Sequence, residues 1–296
     1  MALAAPLPTI AERRHSRLWG IPVYWHLLSL DAPTVAVLWA WGLARTARVQ
    51  SDASVLAVLG VGTWLLYVAD RLLDGRPRGH RPLRERHFFH ARYRTAFLTA
   101  STAAALLLLA LIGLMPPRAG REDALVFAAS MLYFAIVHLP GLSMQRWFPR
   151  ELAVGALFAC ATTIPAWSAS GSPRAELTLP VFLFAGLCCL NCVAIETWER
   201  SANPDRNHAV PALAICLALA SATPMLIPSL RSPSTFRLLA SAFASATLLF
   251  ALDRLHRRVM QPDAAPATVG PFLLVLRVAA DAALLTPLLF LLPWRP

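Results

Sequence analysis

Two pairs of carboxylates close long apolar stretches of this chain, where an acid is costly and usually has a task. The first pair is in Leu66-Tyr67-Val68-Ala69-Asp70-Arg71-Leu72-Leu73-Asp74. Asp70 and Asp74 are four apart, so on a helix they share a face about 40° wide. Thr63 and Tyr67 continue that stripe inward. Two like charges at this spacing destabilise a helix, and a cation between them removes the conflict. Oxygen-only ligands suit magnesium, which typically takes one or two carboxylates together with substrate phosphates. The second pair is Glu196 and Glu199, three apart on one side of a helix. Asn191 precedes Glu199 by about two turns and lies about 80° round from it, so it reaches the same cavity from deeper. The plainer alternative is interfacial: Asp74 and Glu199 reach water, and Asp70 pairs with an arginine.

Directly after the first pair comes a basic segment, Arg76 to Arg94, with seven Arg and three His. Guanidinium forks bind phosphate bidentately. A helical stretch here puts Arg86 and His90 on one face, as a lid over the carboxylates. His87 and His90 also fit as ordinary interfacial residues, and His138 as a hydrogen-bonded core histidine. Arg277 and Asp281 are four apart in the last apolar stretch and are expected to pair with each other.

The elements that must carry these residues are membrane helices. Of the 296 residues, 57% are hydrophobic and 15% charged, with mean hydropathy +0.55; soluble domains carry about 25% charged residues. A helix needs about 20 apolar residues to cross the hydrocarbon core. Nine apolar blocks stand out, at 27–45, 53–74, 95–115, 122–140, 151–169, 177–199, 209–229, 235–254 and 271–293. Short turns such as Met115-Pro116-Pro117-Arg118 and Ser232-Pro233-Ser234 separate them. The expected fold is therefore all-α: one transmembrane domain over 1–296, a bundle of about nine helices. Residues 1–24 form a cytoplasmic N-terminal segment without a cleavable signal peptide, and 75–94 a basic cytoplasmic loop.

The net charge is +11, and every one of the 27 basic residues is Arg. With the N-terminus inside, 17 of them fall on the cytoplasmic side and 8 opposite, Arg71 and Arg277 lying within blocks. That bias predicts an N-in, C-out protein of the inner (plasma) membrane, and it accounts for the charge without nucleic acid. The five cysteines all lie inside apolar blocks, so they read as small core residues rather than a disulfide or zinc framework.

In helix number and in the placement of its acids the sequence resembles the UbiA superfamily of intramembrane prenyltransferases. That family has nine helices, with one Asp-rich motif ending the second helix and another ending the sixth. Its first motif is commonly N-D-x-x-D-x-x-x-D. Asp70 and Asp74 match the last two acids, while Leu66-Tyr67 replace the leading Asn-Asp. Glu196-x-x-Glu199 stands where the second motif is built on D-x-x-D. The resemblance implies a Mg2+-dependent transfer of a prenyl group from a polyprenyl diphosphate to a lipophilic or aromatic acceptor. It implies metal-binding and catalytic roles for Asp70, Asp74, Glu196 and Glu199, and diphosphate binding by Arg71, Arg84, Arg86 and Arg200. Tyr67 and Asn191 would line the cavity, and apolar helix faces in contact with membrane lipid would hold the isoprenoid. The competing readings are a non-catalytic membrane protein or a transporter using the same polar cavity, and a structural subunit whose acids only pair with arginine.

Overall fold

The computed structural model of the protein describes residues 17–74, 85–138, 150–169, 175–200, 208–227, 233–260 and 266–291. Among the described residues the regular structure is entirely helical. The helices are α1 (Arg17–Leu27), α2 (Asp31–Thr46), α3 (Ala53–Asp74), α4 (Glu85–Arg92), α5 (Arg94–Ile112) and α6 (Pro117–His138). They continue with α7 (Arg150–Ala169), α8 (Ala175–Arg200), α9 (Ala209–Met225), α10 (Pro233–Val259), α11 (Pro266–Ala282) and α12 (Pro287–Leu291). Leu- and Ala-rich runs favour helix, and in a bilayer a helix satisfies its own backbone. Proline opens α6, α10, α11 and α12, where its missing N–H costs nothing.

Among the described residues, five helices are long and apolar enough to cross a membrane: residues 53–73, 94–112, 150–169, 177–199 and 233–259. The bent pair Gly20–Leu27 and Asp31–Thr46, turning by 89°, makes a sixth if it is one broken span. This is the pattern of a multi-pass membrane protein. The outward faces agree with it. In the α5 span only 6% is buried inside the protein, and Leu106, Leu109, Leu125 and Leu132 of α5 and α6 are open. Such faces are tolerable in lipid and not in water.

The sharp turn between α1 and α2 has a clear local cause. Ser29 adopts the left-handed conformation, with φ 61°. Its N–H donates to the His26 carbonyl (3.0 Å) and the Leu30 N–H to the Trp25 carbonyl (3.0 Å). This is a Schellman closure, which ends a helix while satisfying its last carbonyls. Arg48, with φ 56°, closes α2 in the same way through Val49 and Ala44.

Two blocks are not single helices. The first is led by α1, so part of the expected N-terminal segment is helical. The last breaks into α11, a 3-10 turn at Ala283–Leu285, and α12. There the Thr286 hydroxyl donates to the Ser241 carbonyl (2.8 Å) and lies 2.7 Å from the Ser245 hydroxyl, so polar partners hold the broken segment against α10. The core lies where α2, α7, α8 and α10 meet. Trp39 stacks on Phe184 with ring centroids 4.5 Å apart and donates its indole N–H to the Leu284 carbonyl (2.8 Å). Gly155 lets α7 approach α8 closely: a Cβ there would stand 2.8 Å from the Ala185 carbonyl oxygen. Cys160 and Cys216 are exposed, which corrects their expected place in the core; Cys188 and Cys189 are buried, and none of the five is bridged.

Candidate polar site in two layers

The polar side chains gather in two layers that share α3, α8 and α11. The deeper one centres on His26 of α1, which is almost wholly buried. Its Nδ1–H donates to Asp31 Oδ2 of α2 (2.6 Å) and to Asp281 Oδ2 of α11 (3.1 Å). Arg71 of α3, 4% exposed, donates from Nη2 to Asp31 Oδ2 (3.1 Å) and from Nη1 to the His26 carbonyl. Asn191 of α8 donates from Nδ2 to Asp281 Oδ1 (3.0 Å). Helices α1, α2, α3, α8 and α11 are thus tied by one connected network. Removing one partner from such a network leaves an uncompensated buried charge.

Beside this network is a cavity of about 40 Å³, lined by Asp31, Tyr67, Cys188, Asn191, Cys192 and Asp281 among others. Tyr67 and Asn191, read from the sequence as cavity residues, line it together. A water needs roughly 10–15 Å³ of such space. The cavity therefore takes a water or a small ion, not a diphosphate.

The outer layer shares α3, α8 and α11 with the deeper one and draws further residues from α4 and α7. Asp70, next to Arg71, faces Arg150 of α7 at 3.4 Å. Glu199, two turns beyond Asn191, receives Nη1 of Arg86 from α4 (3.0 Å) and Nη1 of Arg277 from α11 (2.8 Å). Both groups at this layer are partly exposed: Asp70 by 30% and Glu199 by 15%. The Nε–H of Arg277 is buried and has no hydrogen-bond partner among the described residues. Glu196, one turn inside Glu199, is half-buried. The side chains of Asp74 and Arg200 and all of Arg84 lie outside the described residues, as does the side chain of His138.

The expected Arg277–Asp281 pair is not made. One turn of α11 separates the two residues, and each finds a partner on another helix at its own depth. Arg71, read as a phosphate ligand, is turned inward onto Asp31 and the His26 carbonyl.

Helix α4 joins the layers. Arg86 reaches the outer carboxylate, and His90, one turn on, reaches the deeper layer. His90 Nδ1–H donates to the Arg86 carbonyl (2.9 Å), which can only accept. Its Nε2 lies 3.2 Å from the Ser29 hydroxyl, which donates to it when the ring is neutral. Burial, above all, holds His87 and His90 down to about 4, and the cations Arg86 (for His87) and Arg71 add to it.

His26 and Asp31 are the residues that sequence reasoning missed at this site, and Asp281 was assigned the wrong partner. An acid at membrane depth was the available signal for Asp31, and it was outweighed because no second acid stood near it in sequence. Asp253 was missed for the same reason. It is buried in α10, accepting from the Trp198 indole (3.0 Å) and from Arg257 Nε (2.7 Å), and it orients the tryptophan next to Glu199.

No family model, characterised protein or solved structure matches this chain.

Proposed function

We propose that the chain is a UbiA-like prenyltransferase of the plasma membrane, spanning it nine times with the N-terminus in the cytoplasm. The observation that carries this reading is the closure of Arg86 onto Glu199. The basic segment that follows the first carboxylate pair folds back onto the carboxylate that ends α8. An arginine of that segment thus reaches the second carboxylate cluster, where a diphosphate would be held. Two guanidinium groups converge on one carboxylate there, with the Arg277 Nε–H still unused. That excess of positive charge and donors suits an incoming diphosphate.

Asp70, Asp74, Glu196 and Glu199 offer oxygen donors only, a set that fits magnesium. Magnesium bound with the substrate would offset the charge gathering on the departing diphosphate. The chain's own arginines do the rest: Arg86, Arg277, Arg84 and Arg200 hold phosphate oxygens and keep the leaving group in place as the allylic C–O bond breaks. Arg71, committed to the deeper layer, positions α1 and α2 instead. For the isoprenoid there is an open groove of about 480 Å³ between α2, α3 and α5, lined by Pro33, Val37, Leu56, Val61, Trp64 and Ala104. A lipophilic acceptor would enter from the membrane.

The test is release of diphosphate by the purified protein in lipid, across several polyprenyl diphosphates, with magnesium against chelator. Asp74→Asn keeps size and an acceptor oxygen but removes charge, and is expected to bring release to background in a folded protein. If the wild type neither binds nor releases diphosphate under any of these conditions, the reading fails. Reporter fusions after Arg86 and Pro296 test the topology, and a cytoplasmic signal from both would rule out nine spans.

A further inference from the structure

The deeper layer has a role that prenyl transfer does not use. We propose that the cavity beside Asp31, Asp281 and Asn191 is a binding site for one small monovalent cation of the sodium class. Three observations carry this.

The first is an orphaned acceptor. Asn191 is 8% exposed, and its orientation is set because only its NH2 can donate to Asp281 Oδ1. Its Oδ1 is left buried without a hydrogen-bond partner, on a residue that lines the cavity. A buried carbonyl oxygen with no partner costs about 1–3 kcal/mol. A cation in the cavity removes that penalty.

The second is charge. Asp31 and Asp281 bring two negative charges and Arg71 one positive charge. His26 uses Nδ1–H toward both carboxylates, while its Nε2 is buried with no partner. A second N–H there would be a buried donor with nowhere to go, whereas the two carboxylates at Nδ1 favour the charged ring; rising pH favours the neutral form. For the neutral ring the sum is one negative charge. One monovalent cation balances it; a divalent ion would overshoot in a medium where unbalanced charge is expensive.

The third is size and chemistry. The other titratable groups lining the cavity, Tyr67, Cys188 and Cys192, are neutral at pH 8 when buried and add no charge. The facing donors, two carboxylates, an amide carbonyl and a phenol, are oxygen atoms suited to a hard ion. About 40 Å³ admits an alkali cation with a water and excludes organic ammonium groups of any size.

The proposal does not depend on the prenyltransferase reading, and its test makes no use of diphosphate. The purified full chain in detergent is titrated at pH 8 with sodium chloride against choline chloride at constant ionic strength. Thermal unfolding and binding of radioactive sodium are the two readouts. Saturable stabilisation by sodium, absent with choline, and one bound ion per chain are expected. Asn191→Ala should weaken sodium binding by about tenfold, as loss of one ion contact does. Asp281→Asn should remove it; should that variant fail to fold, Asn191→Ala decides. The proposal is overturned if the wild type shows no saturable sodium effect, or if sodium binds Asn191→Ala as tightly as the wild type. It is also overturned if the purified protein retains a stoichiometric transition metal. His26 Nδ1 and the two carboxylates, whose donor atoms lie within 4.8 Å of one another, would then be the ligands of a different ion.

Discussion

The two polar layers share α3, α8 and α11 and use nearly the same residue types, yet they differ in what holds their charges. In the deeper layer Asp31, Arg71 and His26 are each less than a tenth exposed, and every charge meets its partner across a helix boundary. In the outer layer Asp70 and Glu199 are partly open and meet arginines that are themselves partly open. One residue along α3, from Arg71 to Asp70, or about two turns along α8, from Asn191 to Glu199, is enough for this change. Depth decides whether an ion pair is part of the scaffold or is free to exchange an arginine for a substrate. A buried pair cannot be opened without stranding a charge, whereas a half-exposed one can.

Arg71→Leu should have the largest effect. It leaves Asp31 buried without its guanidinium and should cost about 3–5 kcal/mol, seen as loss of folded protein or a collapse of the unfolding midpoint in detergent. A change below about 1 kcal/mol would erase the distinction between the layers. Gly155→Ala comes next. The added methyl meets the Ala185 carbonyl at 2.8 Å and the Cys189 backbone nitrogen at 3.2 Å, neither of which can yield easily. Overpacking of this kind costs about 1–3 kcal/mol. Because Val154 next to it lines the cavity, this variant should also perturb the deeper layer more than the outer. A variant as stable as the wild type would show that the α7–α8 seam is loose.

Glu199→Gln should be mild by comparison, about 1 kcal/mol or less in stability, since Arg86 and Arg277 keep access to water. Diphosphate release in the proposed reaction should nonetheless fall strongly. A stability loss matching that of Arg71→Leu would place Glu199 in the scaffold instead. The smallest effect is acid sensitivity of α4. His87 and His90 are held near 4, below the ordinary 6.5. At pH 7 both states of the segment are neutral, and the docked helix keeps its full stability. As pH falls from about 6.5 toward about 4, the undocked segment takes up protons first, so docking weakens across that window. Hydrogen exchange at residues 85–92 should speed up at pH 5 relative to pH 7.5 and stay flat from pH 7.5 to 8.5. Exchange that is insensitive to pH 5, after correction for intrinsic rates, would mean that α4 is not held by neutral histidines.

Several of these features were legible as spacing. The apolar blocks announced helices at 53–74, 151–169 and 177–199 because a run of that length has few other ways to satisfy its backbone. Tyr67 and Asn191 were expected to line the cavity of the two carboxylate pairs; the cavity they line is the small one beside Asp31 and Asp281. The Arg277–Asp281 expectation failed because i,i+4 geometry permits a pair without requiring one. Glu199 and Asn191 from α8 offered each residue a partner at its own depth. Asp31 and His26 are only five residues apart but pair across the bend at Ser29, which helical spacing does not anticipate, and their other partners are 40 to 255 residues away.

Periodicity and composition by themselves determined that this chain is helical, apolar on its outside and rich in arginine, because these properties depend on local sequence and on the solvent it must meet. The break before Pro287 and the inward turn of Arg71 were decided only by tertiary structure. Each depends on which carbonyl or carboxylate another helix brings within about 3 Å, and hydrogen bonds of that length arise from packing rather than from sequence neighbourhood.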